Sequence, residues 1–362
     1  MDIPHKTALL CVLNWGMGHA TRCVPLIQAL QQRRVKIVIA SDGAALAFLQ
    51  QEFPDLCFEK LPAYNIQYPE NENMAWAMAK QLPALLLTIA KERMATNKLV
   101  KRYQPNFIIS DNRYGCYHKH IKSIFITHQL HLQAPFHLTL LANAANKFNH
   151  MLISNFSECW VPDAATTPNA AGALSHPPLP NTKFIGILSR LSTASVQQKK
   201  YKVMALLSGP EPQRSILQTI LLKELKKLPH PSLLVKGTLV SNTTTRSHQI
   251  TEVDFMNQAE ITKAISESEV LICRSGYSTI MDLMAMQPNT KVIFIPTPGQ
   301  TEQEYLAQKL ANEKCGITYS QKKFSLSDAL EKAENITTFK NSNYILESST
   351  LLSQALTSVI TD

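Results

Sequence analysis

The sequence predicts an α/β protein of two successive Rossmann-like domains. Three observations carry this expectation. The chain has 362 residues, more than one domain usually holds. Short apolar runs alternate with helical patterns, break off after residue 161 and restart at residue 203. Small-residue turns recur where an apolar run hands over to a helix.

The first half opens with Ala8–Leu13, a short apolar run, followed by apolar residues at helical spacing over Val24–Leu30. Val35–Ala40 is a β-branched strand and Ala44–Gln50 reads as helix. Phe107–Ser110, Ile124–Thr127 and Cys159–Val161 read as further strands. Residues 162–182 then hold five prolines, and residues 189–200 are polar and basic. Together they predict a loop and an interdomain linker. The second half starts with a strand over Val203–Leu207 and a helix from Gln213 to Lys227. Strands follow at Ser232–Val235, Val270–Cys273 and Lys291–Ile295, and helices at Glu260–Ser268, Tyr277–Met286 and Glu302–Glu313. The expected domains span residues 1–188 and 200–343. An amphipathic helix within 344–362 is free to cross back to the first domain.

Composition narrows the class of partner. The net charge of +9 favours anions: nucleotides, phospholipid headgroups or nucleic acid. The basic residues are spread along the chain rather than striped with aromatics, which argues against nucleic acid. Seven scattered cysteines without a C-x-x-C pair argue against disulfides and zinc and for a reducing cytoplasm. The apolar run Leu82–Ala90 is interrupted by Pro83 and is too short to span a bilayer, and the N-terminal apolar stretch is too short for a signal peptide.

Five segments can carry chemistry. Gly16-Met17-Gly18-His19 opens a helix after the first strand, where glycines admit a ligand and helix N–H groups suit an anion; Arg22 follows one turn on. Thr21 stands where a dinucleotide fingerprint needs its third glycine, so a dinucleotide site is rejected. Ser110-Asp111-Asn112-Arg113 and, further on, His128 place a carboxylate and an imidazole at strand ends, as acid–base or acceptor-binding groups. Arg274-Ser275-Gly276-Tyr277-Ser278-Thr279 offers N–H and hydroxyl donors to a diphosphate, and Asp282 lies where a carboxylate reaches a ribose diol. Gln300, Glu302, Gln303 and Glu304 crowd one loop with groups suited to sugar hydroxyls. Gly209, between Ser208 and Pro210, opens a turn suited to a base or phosphate. Each segment has a plainer reading as a turn or helix cap.

Together, the G-x-G-H-x-x-R loop, the R-S-G-x-x-T helix start and the P-x-x-x-Q-x-E-Q segment resemble GT-B glycosyltransferases. The similarity is to relatives of the peptidoglycan lipid-intermediate N-acetylglucosaminyltransferase, in the manner of glycosyltransferase family 28, over residues 8–315. The resemblance implies two Rossmann-like domains facing each other across a cleft. It implies a nucleotide-sugar donor, usually UDP-linked, on the second domain: phosphates at Ser275–Thr279, ribose at Asp282, sugar near Gln300–Glu304. The first domain would take a glycan or lipid-linked acceptor at the glycine-rich loop, with no metal and no separate cofactor. The sequence departs from that enzyme at Asn14-Trp15, at Asp282 in place of Glu, and at Glu304 in place of Gln.

The expected chemistry is displacement with inversion, with His19 or Asp111 as base. A sugar-nucleotide epimerase or hydrolase of the same fold, or a non-catalytic nucleotide-sugar binder, remains open. Residues 74–101 mix Met74, Trp76, Met78 and Leu85–Leu87 with lysines and an arginine, which suits ordinary packing on the core or, alternatively, peripheral contact with the inner face of an anionic membrane.

Overall fold

A computed structural model describes residues 6–64, 74–133, 139–193, 198–238, 243–247, 249–339 and 343–361. They fall into two compact units. The first comprises residues 6–64, 75–189 and 343–361, and the second residues 190–339.

The first unit is built on strands β1 (Thr7–Val12), β2 (Lys36–Ser41), β3 (Cys57–Lys60), β4 (Phe107–Asp111), β5 (Lys122–Ile126), β6 (Glu158–Val161) and β7 (Thr182–Phe184). They form one parallel sheet in the order β3-β2-β1-β4-β5-β6-β7. Helices α1 (Met17–Gln32), α2 (Gly43–Glu52), α3 (Met74–Tyr103) and α4 (Thr139–Ile153) are its crossovers. A parallel sheet covered on both faces needs near-continuous apolar strands, and β1, β2 and β4 are buried along almost their whole length.

In the second unit lie β8 (Tyr201–Leu206), β9 (Ser232–Val235), β10 (Thr244–Ser247), β11 (Ile250–Val253), β12 (Ser268–Cys273), β13 (Lys291–Phe294) and β14 (Ile317–Thr318). The order is β10-β11-β9-β8-β12-β13-β14, parallel except for β10 against β11. Helices α5 (Gln213–Leu225), α6 (Gln258–Ser266), α7 (Tyr277–Met286), α8 (Thr301–Asn312) and α9 (Leu326–Ala333) accompany it. One core runs from Val203, Ala205 and Leu207 through Leu217 and Leu221 to Ile272, Ile293 and Leu326.

In both sheets the strand order reverses about the first strand. That happens between β1 and β4, and again between β8 and β12. Such switch points open crevices at the carboxyl ends of the strands, where loops can hold a ligand. The turns after β1, β4, β8 and β12, with those after β5 and β13, hold the candidate residues.

One expectation needs correction. Residues 162–182 are not linker. Asp163, fully buried, accepts the N–H groups of Ala164, Ala170 and Ala171 at 2.8 Å each, and β7 then completes the first sheet. The prolines mark an ordered excursion organised by one carboxylate. The last helix, α10 (Asn343–Thr361), belongs by its contacts to the first unit. Arg33 Nη2 donates to Ser353 Oγ at 2.7 Å and Lys183 Nζ to Ser358 Oγ at 3.2 Å. Leu352, Ala355, Leu356 and Val359 are buried, each large one stabilising by roughly 1.5–3 kcal/mol.

Candidate active site

In the first unit the structure brings four expected residues together. Gly16 precedes α1 with φ +78, a backbone that glycine adopts without strain. Met17, Gly18 and His19 form the first turn, which no side chain caps and no acid occupies. His19 Nδ1 lies 2.8 Å from Asp111 Oδ2 at the end of β4. Arg22, one turn on, donates through Nε to Asp111 Oδ1 at 2.8 Å and pairs with it again through Nη2. Arg22 Nη1 also reaches His128 Nδ1 at 3.4 Å. Asp111 is fully buried, Arg22 and His128 nearly so, and the His19 side chain keeps 14% of its surface.

The electrostatics fix the proton positions. Burial pushes the Asp111 carboxyl up, but Arg22 and His19 outweigh it and hold the group below the usual carboxylate range. Burial, and then Arg22, press the His19 pKa down, against the pull of Asp111. His19 is therefore neutral at pH 7. With an ionised carboxylate at Nδ1, that nitrogen carries the proton and donates it, leaving the Nε2 lone pair as a base. His19 and Asp111 are thus parts of one arrangement rather than alternatives.

A second buried ion cluster backs this site, and sequence reasoning missed it. Arg113, fully buried, pairs with Asp42, with Glu92 at 2.8 Å and with the Val12 carbonyl at 2.7 Å. Glu92 also accepts from Tyr64 and from the Gly115 N–H at 3.0 Å. Asn14 joins the same turn: its Nδ2 donates to Asp42 at 3.1 Å, and its Oδ1 accepts from Ala45 N at 3.2 Å. The only cue was a charged residue two places after Asp111. Nothing in the spacing linked it to residues 42 and 92.

In the second unit α7 starts at an open place. Gly276 precedes it, no side chain caps it, and a Cβ built on Gly276 meets nothing within 4 Å. Ser278 and Thr279 are half-buried in its first turn, and Asp282 is half-buried one turn further. Helix N–H groups with clear space before them suit an anion. Gly209, at φ +101, brings its turn close to the same region: a Cβ there would lie 3.7 Å from Thr297 Oγ1. That hydroxyl is buried and has no hydrogen-bond partner among the described residues.

Several expected donor contacts are spent inside the protein. Arg274 does not face a ligand. It is 1% exposed, and its guanidinium donates to the carbonyls of Ile295 and Pro296 at 3.0 Å, to Gln213 O at 2.9 Å and to Gln321 Oε1 at 2.7 Å. Burial lowers its pKa to about 10, which leaves it charged at neutral pH. Among the described residues no carboxylate pairs with it, so it is a cation held beneath the turn. Ser275 gives its hydroxyl to Gln303 O at 2.7 Å. The Gln303 amide accepts from Thr297 N at 2.9 Å and donates to Gln300, while Glu304 accepts from Gly299 N at 3.1 Å. The 297–304 loop is thereby preformed; Tyr277 is buried, and Glu302 sits half-buried in the first turn of α8. No cluster of three His, Cys, Asp or Glu side chains able to hold a metal occurs among the described residues.

Comparison with known proteins matches both units. Residues 233–356 match the model of the glycosyltransferase family 28 C-terminal domain, and residues 7–131 that of glycosyl transferase family 1. A curated relative from Histophilus somni (strain 129Pt), a UDP-N-acetylglucosamine–N-acetylmuramyl-(pentapeptide) pyrophosphoryl-undecaprenol N-acetylglucosamine transferase, is 24% identical over 317 residues, covering 76% of this chain and 82% of that protein. Among solved structures, the spinosyn rhamnosyltransferase SpnG complexed with thymidine diphosphate superposes with a TM-score of 0.63 at 11% identity, over 99% of this chain and 100% of that one. MurG of Acinetobacter baumannii superposes with a TM-score of 0.55 at 12% identity, over 99% of each chain.

Proposed function

For this chain, a glycosyltransferase of family 28 type with the GT-B fold, we propose an inverting transfer of a sugar from a nucleotide diphosphate donor to a hydroxyl acceptor. The observation that carries the reading is the buried His19–Asp111–Arg22 arrangement. Asp111 fixes the Nδ1–H tautomer, and Arg22 keeps Asp111 ionised. His19 Nε2 takes the acceptor's hydroxyl proton as the acceptor oxygen bonds to the anomeric carbon. The bond from that carbon to the diphosphate oxygen breaks with its electrons, and nucleoside diphosphate departs.

The donor sits on the second unit. Its diphosphate lies against the α7 N-terminus at Gly276, Ser278 and Thr279, with Arg274 adding positive potential from beneath. Asp282 takes the ribose diol. The preformed loop carrying Gln300, Glu302, Gln303 and Glu304 presents the sugar-binding groups. In this reading the helix end and loop donors, rather than a metal ion, stabilise the leaving group. The name of the Histophilus relative favours a UDP-sugar and a lipid-linked acceptor, and so a part in cell-envelope glycan synthesis.

A lipid-linked acceptor asks for contact with a membrane surface at its cytoplasmic face, where seven free cysteines stay reduced. No described helix is long and apolar enough to cross a bilayer. Helix α3 exposes Leu82, Leu86, Leu87 and Met94 beside Lys91 and Lys98, which supports peripheral docking. Sedimentation with anionic vesicles, weakened by salt, is the expected result.

The decisive experiment is a thermal-shift panel of UDP, TDP and GDP and their sugars, followed by nucleotide release with and without acceptor. Ligand at a hundred times its Kd adds about 2.7 kcal/mol of stability. A panel without any shift rejects the donor site. Release that ignores acceptor replaces transfer with hydrolysis or epimerisation.

A further inference from the structure

We infer that the first unit holds a second anion site, distinct from the His19 site, that takes a phosphate ester. It is a hollow of about 370 Å³ lined by Arg93, Asn97, Lys101, His118, Lys119 and His120. Topology puts it at the opposite end of the strands. Asn97 and Lys101 lie in the last turns of α3, just before β4 begins, and His118–His120 immediately precede β5. These are the amino ends of the strands, whereas His19 and Asp111 are at the carboxyl end of β4. A five-residue strand separates the two by roughly 15 Å.

The chemistry of the lining calls for an anion. Arg93, Lys101 and Lys119 have no carboxylate partner among the described residues, although their neighbours do. Arg102 pairs with Glu59 at 2.6 Å and Lys122 with Glu158 at 3.2 Å. Two polar atoms of residues that line the hollow are buried with no hydrogen bond among the described residues: Arg93 Nη1, a donor, and Asn97 Oδ1, an acceptor. A buried polar atom without a partner is costly, and a small turn of both side chains toward a ligand presenting an oxyanion and a hydroxyl would satisfy the two together. The Arg93 guanidinium is held in place by stacking 3.9 Å over the Tyr117 ring. His118 Nδ1 accepts the His120 backbone N–H at 3.3 Å, so its Nε2 carries the proton and is a further donor. Burial, then Arg93 and His120, press the His118 pKa down, as expected of cations crowded without their counter-ion.

A phosphate monoester or diester of a small polyol meets these terms. Its source is either a soluble phosphorylated compound or a phospholipid headgroup, since exposed Met94 follows Arg93 on α3. Only the headgroup alternative rests on the membrane reading above.

The test is calorimetry with glycerol 1-phosphate and sedimentation with phosphatidylglycerol–phosphatidylcholine vesicles. Both use the full chain, its K101Q/K119Q variant, and a K223Q/K226Q control that removes two exposed charges from the end of α5, outside the hollow. Lys101 and Lys119 are exposed, so the fold survives their loss, and unchanged UDP binding verifies it. The expected result is at least tenfold weaker binding for K101Q/K119Q and little change for the control. Binding of glycerol 1-phosphate assigns a soluble ester, and binding of vesicles alone assigns the headgroup. No binding to either probe, or equal loss in both variants, overturns the proposal.

Discussion

Replacing Asp111 with asparagine separates the catalytic reading from a merely structural one. In the native protein Asp111 accepts from His19 and twice from Arg22 while fully buried. Without the carboxylate, Arg22 at 2% exposure is left with His128 alone among the described residues. Removing one partner of a buried ion pair costs about 3–5 kcal/mol. The asparagine amide also donates to Nδ1, which moves the His19 proton to Nε2 and abolishes the base, for a loss of roughly two to four decades in kcat. The assay is favourable because all three tryptophans, Trp15, Trp76 and Trp160, belong to the first unit, and Trp160 is fully buried on β6. A urea melt followed by tryptophan fluorescence therefore reports the damaged unit, while UDP calorimetry checks the second. The pH dependence has a definite sign. The folded Asp111 pKa is depressed, so its stabilisation is complete above the unfolded value near 3.9 and disappears as pH falls through the lower, folded value. The variant should lack that acid-side loss. A melt within about 1 kcal/mol of the native protein, or turnover within threefold of it, would refute the argument.

Three further outcomes follow from the same geometry. Because burial and Arg22 lower the His19 pKa, the base form persists below the ordinary 6.5, and the acid limb of kcat/KM should be centred under that value; a limb at or above 6.5 removes His19 as the base. Gly276→Ala fits the backbone, at φ −68 with open space around its Cβ, so the melt should be unchanged while UDP affinity drops about tenfold as the methyl enters the phosphate's place; unchanged affinity moves the diphosphate elsewhere. Asp282→Asn should weaken UDP by about ten- to hundredfold, the worth of one charge-assisted hydrogen bond to the ribose, and calorimetry on the folded variant decides it.

The parts of this protein that could be read from the residues are those governed by local rules. The long buried strands, such as Lys36–Ser41 and Ser268–Cys273, are apolar enough to stand out, and each turn after them is marked by glycine or serine. The edges were not legible. Cys57–Lys60 is only half-buried, Thr244–Ser247 is fully exposed, and Ile317–Thr318 is two residues long, so none carries an apolar pattern. His19 and Asp111 were both found, yet as rivals, because nothing local reveals a contact across 92 positions. Arg274 shows the opposite failure. An arginine beside a phosphate-like turn suggests a ligand contact, but three backbone carbonyls from two other segments claim it first. The Arg113 cluster joins residues 42, 92 and 113, and only the folded chain brings them within reach.

The docking of α10 on the first unit has a consequence for how the protein is made. The helix that buries Leu352, Leu356 and Val359 against that unit leaves the ribosome only after the whole second unit has been synthesised. At 5–20 residues per second the intervening stretch of about 150 residues takes roughly 8–30 s. For that interval the N-terminal sheet exists without its last helix, and the apolar surface α10 will cover is open to solvent and to chaperones. The domain that starts first is thus the last to be finished. A truncation or a bulky fusion at the C-terminus would accordingly be felt around Arg33 and Lys183, in the unit that holds His19, while the second unit folds undisturbed.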